Sequence, residues 1–196
     1  MSEPAPAPPT VLVLAAGRGE RFAASGGRVH KLDALLAGQR VLDHVLGAVR
    51  LSGLPYCIVR AADVGGPYGS GAGMGDSIAA GVRATAGAAG WMILPGDLPL
   101  IRASTLLTIA SAPPCGALVP RYAGQRGHPV RFAACCAPAL LDLQGNTGAA
   151  QVLRAQAAID SVATLDLDDA GIVTDIDTLD DLQRAEVLLR ARSRAC

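Results

Sequence analysis

Along the chain, two hydrophobic periods alternate. Short β-rich runs at 10–15, 56–60, 91–95, 116–121, 128–132 and 161–166 are separated by segments of helical period. That alternation predicts an α/β fold with a mostly parallel sheet flanked by helices. Between the first two runs, Leu42, Val45, Leu46 and Val49 recur at helical spacing, so 41–51 is expected to form an amphipathic helix that completes a β-α-β unit. The last helix is placed at about 178–193. Thr178 and Asp181 stand at capping spacing, Leu179, Leu182, Ala185 and Leu189 give one apolar face, and arginines gather at its end. Residues 61–77 are glycine-rich and irregular, the pattern of a long functional loop. The chain shows no internal repeat.

Length changes little in this picture: 196 residues suit one domain, placed at 10–196, after a proline-rich lead at 1–9 expected to be disordered. The lead lacks the basic region and apolar run of a secretory signal, and no stretch reaches the roughly 20 apolar residues of a membrane span. The expected location is cytoplasmic. Seventeen basic residues balance seventeen acidic ones, which gives no electrostatic case for nucleic acid or an anionic membrane as partner. Any phosphate site must therefore be local. Five cysteines without CxxC spacing or a matching histidine set argue for a reducing compartment and against structural zinc. They are read as small core residues plus a loose thiol at Cys196.

Local chemistry concentrates at the ends of the predicted strands. The first ends in Leu14-Ala15-Ala16-Gly17-Arg18-Gly19-Glu20-Arg21, with Lys31 ten residues beyond Arg21. Small residues let backbone N–H groups converge on phosphate oxygens, while Arg and Lys offset the charge. A dinucleotide-binding turn is the rival reading, but Phe22 stands where its third glycine is needed and Val59-Arg60 ends the second strand without an acidic residue for a ribose. A Walker turn fails for want of Gly-Lys-Ser/Thr. The third strand runs out into Pro95-Gly96-Asp97-Leu98-Pro99, placing Asp97 at the carboxyl edge of the sheet. There it is the first choice for a Mg²⁺ ligand, since that ion takes one or two protein carboxylates beside phosphates; the alternative is a turn or capping aspartate. Gly73-Met74-Gly75-Asp76-Ser77 is a glycine loop entering a helix, where Ser77 offers a hydroxyl to a base or ribose or else serves a cap. Finally, Asp175 and Asp177 are read at a strand end before the last helix, pointing to one side. One of them completes the metal site, or Asp177 is a cap and Asp175 is solvated.

In this order the segments resemble the MobA-like NTP transferases, most closely the molybdenum cofactor cytidylyltransferase branch. The match runs through LAAGRGERF with Lys31, GMGDSIAAGV, LPGDLPLI, RGHPVRF and DIDTLDDL. The resemblance implies a three-layer, Rossmann-like nucleotidyltransferase fold. The turn of Leu14, Ala15, Ala16, Gly17, Arg18 and Gly19, together with Lys31, would hold the triphosphate; Gly75 and Ser77 would lie near the pyrimidine; Gly127 and His128 would face the acceptor. Asp97 and Asp175 would bind Mg²⁺. The guanylyl branch resembles LAGG at the turn, so Ala16 favours CTP. The chain departs from the family pattern in the long spacer from Ala23 to His30, and in Gly145-Asn146-Thr147-Gly148-Ala149, which lacks a carboxylate at Asn146. His30 is read as a loop residue and His44 as structural.

The expected reaction is attack of an acceptor phosphate on the α-phosphorus of CTP, with Arg21, Lys31 and Asp97 as the catalytic set and a phosphorylated pterin-type acceptor. Molybdoenzyme maturation factors are expected as partners. Within the family, GTP or another phosphorylated acceptor is the alternative; outside it stand an NAD(P)-binding oxidoreductase and a non-catalytic nucleotide or cofactor carrier.

Overall fold

The computed structural model describes residues 7–64 and 73–194. Along the chain come β1 (Thr10–Ala15), α1 (Glu20–Ala24), a hairpin of β2 (Leu35–Leu36) and β3 (Gln39–Arg40), α2 (Val41–Ser52), β4 (Tyr56–Arg60), α3 (Met74–Ala84) and β5 (Gly90–Pro95). They are followed by α4 (Ala103–Ser111), β6 (Ala117–Tyr122), β7 (Gln125–Arg126), β8 (Val130–Ala133), α5 (Ala137–Leu141), α6 (Ala150–Ala157), β9 (Val162–Asp166) and α7 (Leu179–Arg194).

One seven-stranded sheet organises the chain, in the order β4-β1-β5-β8-β6 with β7 and β9 both paired to β6. The pairs β1–β4, β1–β5 and β6–β9 are parallel, whereas β8 runs antiparallel to β5 and β6. Central strands read as continuous apolar runs because both faces are covered. Val11, Val13, Met92 and Leu94 pack under α2 and α4, while Leu12, Trp91 and Ile93 pack under α3, α5 and α6. The three layers follow from that alternation. A smaller core, Phe22, Leu32, Leu36, Val41, Leu100, Ile176 and Ala185, joins α1, the β2–β3 hairpin and α7 beside the sheet's carboxyl edge.

Several expectations shift by physical detail. The strand expected at 128–132 begins at Val130, because Pro129 has no N–H for a ladder and the His128 N–H donates to Ile172 O at 2.9 Å instead. The irregular stretch expected at 61–77 is a 3-10 turn over Ala61–Val64, and from Met74 onward it is already helix; 65–72 lies outside the described residues. No strand precedes the last helix at 173–178. The Ile176 N–H donates to Asp97 O, while the N–H groups of Asp177 and Thr178 go to the Asp181 carboxylate, so the backbone is satisfied by a turn and a cap. Thr178 and Asp181 do cap α7 reciprocally, with Asp181 N donating back to Thr178 Oγ1.

Cys136 is buried, as expected of a core residue, but Cys135 is exposed, and Cys196 lies outside the described residues. The helices α4, α5 and α6, which the sequence pattern did not mark, are also present. Buried Arg131 fixes the first of them: its guanidinium donates to the carbonyls of Ile109, Ala112 and Pro113 at the carboxyl end of α4. A cation at that end complements the helix dipole.

Candidate active site

β1 and β5 lie side by side and parallel, with Leu14 opposite Pro95, so the segments after both leave from one edge of the sheet. Gly96 N–H donates to Leu14 O at 2.9 Å, and a β-carbon on Gly96 would stand 2.9 Å from that same oxygen. Only glycine lets the turn press this close. The result projects Asp97 over the edge, and the Ile176 N–H holds Asp97 O from the other side at 2.9 Å.

Lys31 reaches Asp97 from a 3-10 turn that begins after His30. The Ala23–His30 spacer folds back on itself: the Gly27 N–H donates to Phe22 O, and Phe22 is buried in the smaller core. His30 closes the excursion. Its Nδ1 accepts from Leu32 N and its Nε2 lies 2.7 Å from Gly17 O, which makes Nε2–H the donor to the LAAG turn. A residue read as plain loop thus ties Lys31 to the end of β1, and only contact distances reveal it.

The Lys31 ammonium donates to Asp97 Oδ2 at 2.6 Å and to Asp177 Oδ1 at 2.8 Å, and Arg21 pairs with Asp177 Oδ2. These side chains are mostly covered, at 13% exposure for Lys31, 15% for Asp97 and 29% for Asp177. Burial lowers the Lys31 pKa, but Asp97 and Asp177 outweigh it and hold the ammonium above its ordinary value. Burial raises Asp177, and Lys31 with Arg21 more than reverses that, leaving its carboxyl below the usual range. Asp175 sits near the same charges without this pairing; burial and then the neighbouring carboxylates of Asp97, Asp177 and Asp181 push its pKa up. Of the two aspartates left open by the sequence, Asp177 is the one that Lys31 engages.

The opposite wall is built from α3. Asp76 Oδ2 accepts from Gly73 N at 2.7 Å, and the Gly145 backbone also hydrogen-bonds its carboxylate. Gly75 N donates to Gly145 O at 2.9 Å, and a β-carbon on Gly75 would come within 2.6 Å of Thr147 O. The loop at 144–148 is thereby clamped against the start of α3. Ser77 is buried with its hydroxyl proton given to Gly73 O at 3.1 Å, which leaves the oxygen as an acceptor.

The cleft between these walls is lined by Leu14, Ala16, Gly17, Arg18, Lys31, Ser77 and Asp97 of the anticipated set, and by Met74 and Asn146, which were not assigned to it. Ala15, Gly19, Arg21, Gly75, Gly127, His128 and Asp175 are not on its wall. Gly75 and Gly127 serve close packing, the latter against Ile172. The His128 ring is largely covered and its Nδ1 has no partner among the described residues; burial above all holds the imidazole below its ordinary pKa. His44 serves the hairpin instead: its Nε2–H donates to Leu36 O at 2.9 Å.

Residues 11–161 match the model of the MobA-like NTP transferase domain. The chain belongs to the MobA-like NTP transferase family. Membership makes it one of a family of nucleotidyltransferases and sets it apart from the dinucleotide-dependent oxidoreductases that the Gly17-x-Gly19 turn also suggested. A curated relative, the purine catabolism protein PucB of Bacillus subtilis (strain 168), is 32% identical over 108 residues, 54% of this chain and 52% of PucB. The chain thus aligns with about half the length of that relative.

Solved structures share the MobA-like fold. A nucleotidyl transferase from Methanothermobacter thermautotroptrophicus superposes with a TM-score of 0.73 at 22% identity, covering 93% of this chain and 98% of the other. Rv0371C of Mycobacterium tuberculosis H37Rv, solved in complex with manganese, gives 0.60 at 23% identity over 89% and 96%. Molybdopterin-guanine dinucleotide biosynthesis protein A of Archaeoglobus fulgidus gives 0.57 at 18% identity over 93% and 99%.

The residues at the edge fit a hard divalent cation. Asp97 Oδ1 is buried without a hydrogen-bond partner among the described residues, a costly state for a carboxylate oxygen unless a cation or donor serves it. Among the described residues there is no group of three or more His, Cys, Asp or Glu arranged as a metal cage. No described helix is long and apolar enough to cross a membrane.

Proposed function

We propose that the protein is a CTP:molybdopterin cytidylyltransferase that uses Mg²⁺ and releases pyrophosphate, acting in the cytoplasm ahead of molybdoenzyme maturation factors. The observation that carries this reading is the meeting of Lys31 and Asp97 at the shared end of β1 and β5, under the LAAG turn. Ala16 lines the cleft, so the position that separates LAAG from the guanylyl-type LAGG faces the ligand, which supports CTP. The pterin acceptor is supported by the motif order and by the Archaeoglobus neighbour's name. The manganese complex of the mycobacterial neighbour supports a divalent cation.

In this mechanism a phosphate oxygen of the acceptor forms a bond to the α-phosphorus of CTP, and the bond from that phosphorus to the β-bridging oxygen breaks, so that pyrophosphate leaves. The protein's work is positioning and charge neutralisation. Backbone N–H groups of Ala16, Gly17 and Arg18 would receive phosphate oxygens, with the Arg18 and Lys31 side chains at the same wall to neutralise them. Arg21, held by Asp177, adds positive charge beside the turn. Asp97 and, by family resemblance, Asp175 would hold Mg²⁺, which when bound screens charge on the phosphate oxygens. Ser77 presents its hydroxyl oxygen to the nucleoside from the α3 wall, and the Gly127–His128 hairpin is assigned to the acceptor. No general base is needed, because the acceptor phosphate is already ionised at neutral pH.

Pyrophosphate release from CTP, GTP, ATP and UTP, with Mg²⁺ and with or without molybdopterin, tests the reading. Release with CTP that depends on molybdopterin is expected. Preference for GTP would move the protein to the guanylyl reading, and the absence of release with every triphosphate would sink the proposal.

A further inference from the structure

Lys31 stands where a phosphate ligand is expected, yet it does not point into open space. Its ammonium lies between two carboxylates from different parts of the chain, Asp97 Oδ2 at 2.6 Å and Asp177 Oδ1 at 2.8 Å, and is itself only 13% exposed. The other oxygen of Asp97 is buried and unpartnered among the described residues. Arg21 neutralises the second oxygen of Asp177. The carboxylates are therefore already balanced by protein cations before any ligand arrives.

A divalent cation entering beside Lys31 would share Asp97 with an ammonium a few ångströms away. Two cations that close repel, and the coverage of these side chains screens the repulsion poorly. A triphosphate removes the conflict, since its oxygens give Lys31 a new anionic partner while also ligating the ion.

We propose that Lys31 is the resident counter-ion of the metal site: in the nucleotide-free protein it holds the cation's place on Asp97, steadied there by Asp177, and the triphosphate draws it away, so that nucleotide and cation bind together rather than cation first. This rests on the nucleotidyl-transfer reading of the site. Lys31 then couples the two ligands as well as binding one, and by linkage each tightens the other. Removing Lys31 should weaken the triphosphate but, without nucleotide, tighten the metal.

Mn²⁺ is the probe, followed by the electron paramagnetic resonance signal of the free ion and titrated into nucleotide-free protein. Wild type should bind weakly, and Lys31→Met should bind one ion roughly tenfold more tightly, within the usual range of coupling between sites. Adding Asp97→Asn to Lys31→Met should cancel the gain, which places the ion at this carboxylate. Lys31→Gln, which keeps a polar group between the aspartates, should show the same direction and serves if the methionine variant folds poorly. Equal or weaker Mn²⁺ binding by both Lys31 variants overturns the proposal. The result is read without nucleotide, so it is separable from the functional reading: that reading fails on pyrophosphate release, and this one fails on Mn²⁺ affinity even where turnover is intact.

Discussion

Asp97 has one carboxylate oxygen on Lys31 and one that is buried with no partner among the described residues. Under the proposed mechanism, Asp97→Ala removes the metal ligand and leaves Lys31 with Asp177 alone. Turnover should fall by about 10² to 10³ or more, the scale of removing one preorganised electrostatic group, as measured by pyrophosphate release on protein with an unchanged circular dichroism spectrum. Activity near wild type would remove Asp97 from the mechanism. Asp97 could be singled out from sequence because it follows a strand with a recognisable turn, and Lys31 because it stands ten residues beyond Arg21 in the segment that resembles the family's. The choice between Asp175 and Asp177 was not readable, because it depended on a strand alternation that does not exist there. Once the segment is a turn tethered to Asp97 O, side-chain direction is set by tertiary contacts, and Lys31 meets Asp177.

At the level of elements, the α3 wall depends on Asp76 joining two segments about seventy residues apart. Its carboxyl is held below the usual range by the Gly73 and Gly145 backbone groups that it accepts from. Asp76→Ala removes the carboxylate that reaches back to the Gly73 N–H at the start of α3, and releases the 144–148 loop that carries Asn146. Urea unfolding should show a small loss of stability, and KM for the triphosphate should rise more than kcat falls; an unchanged KM would separate the clamp from nucleotide binding. Arg131 acts on α4 in a comparable way. Replacing it by Met leaves buried carbonyls at the end of α4 without a donor, at an expected cost of more than about 2 kcal/mol in urea unfolding. Neither clamp was visible in the sequence. GMGDS marked a helix start, but a loop docking onto it from residues 144–148 is a contact between distant segments.

Across the whole molecule, α7 is held by its cap and by a buried charge. Asp169 is 2% exposed and accepts from Thr105 Oγ1, Gly171 N and Arg192. It links α4, the turn before the DIDT segment and the end of α7. Breaking a buried pair is costly, on the order of 3 to 5 kcal/mol; Asp169→Ala should approach that cost, while Arg192→Met should cost less because Arg102 remains 3.7 Å from the same carboxylate, both read as a lower urea midpoint. Activity should fall with it, since Asp177 lies two residues before α7. Burial raises Asp181, but Thr178 and the Asp177 backbone outweigh it, so the folded carboxyl lies below its ordinary value of 3.8. Stability from this cap is fully present above that value and is lost as pH falls through the folded pKa. The thermal unfolding midpoint should therefore fall below about pH 4, and Asp181→Ala should lessen that dependence.

The sequence by itself determined the alternating strands and helices, the parallel core of the sheet, the cap of α7 and the turns that leave β1 and β5 at one edge. Those features are local: apolar period, capping spacing and small-residue turns are written within a few positions of one another. Tertiary structure alone decided that His30 ties the Lys31 turn to Gly17, that Asp177 rather than Asp175 pairs with Lys31, and that Asn146 and Met74 line the cleft. Each of these is a distance between segments far apart in the chain, fixed by how the layers pack and by which buried polar groups must find partners.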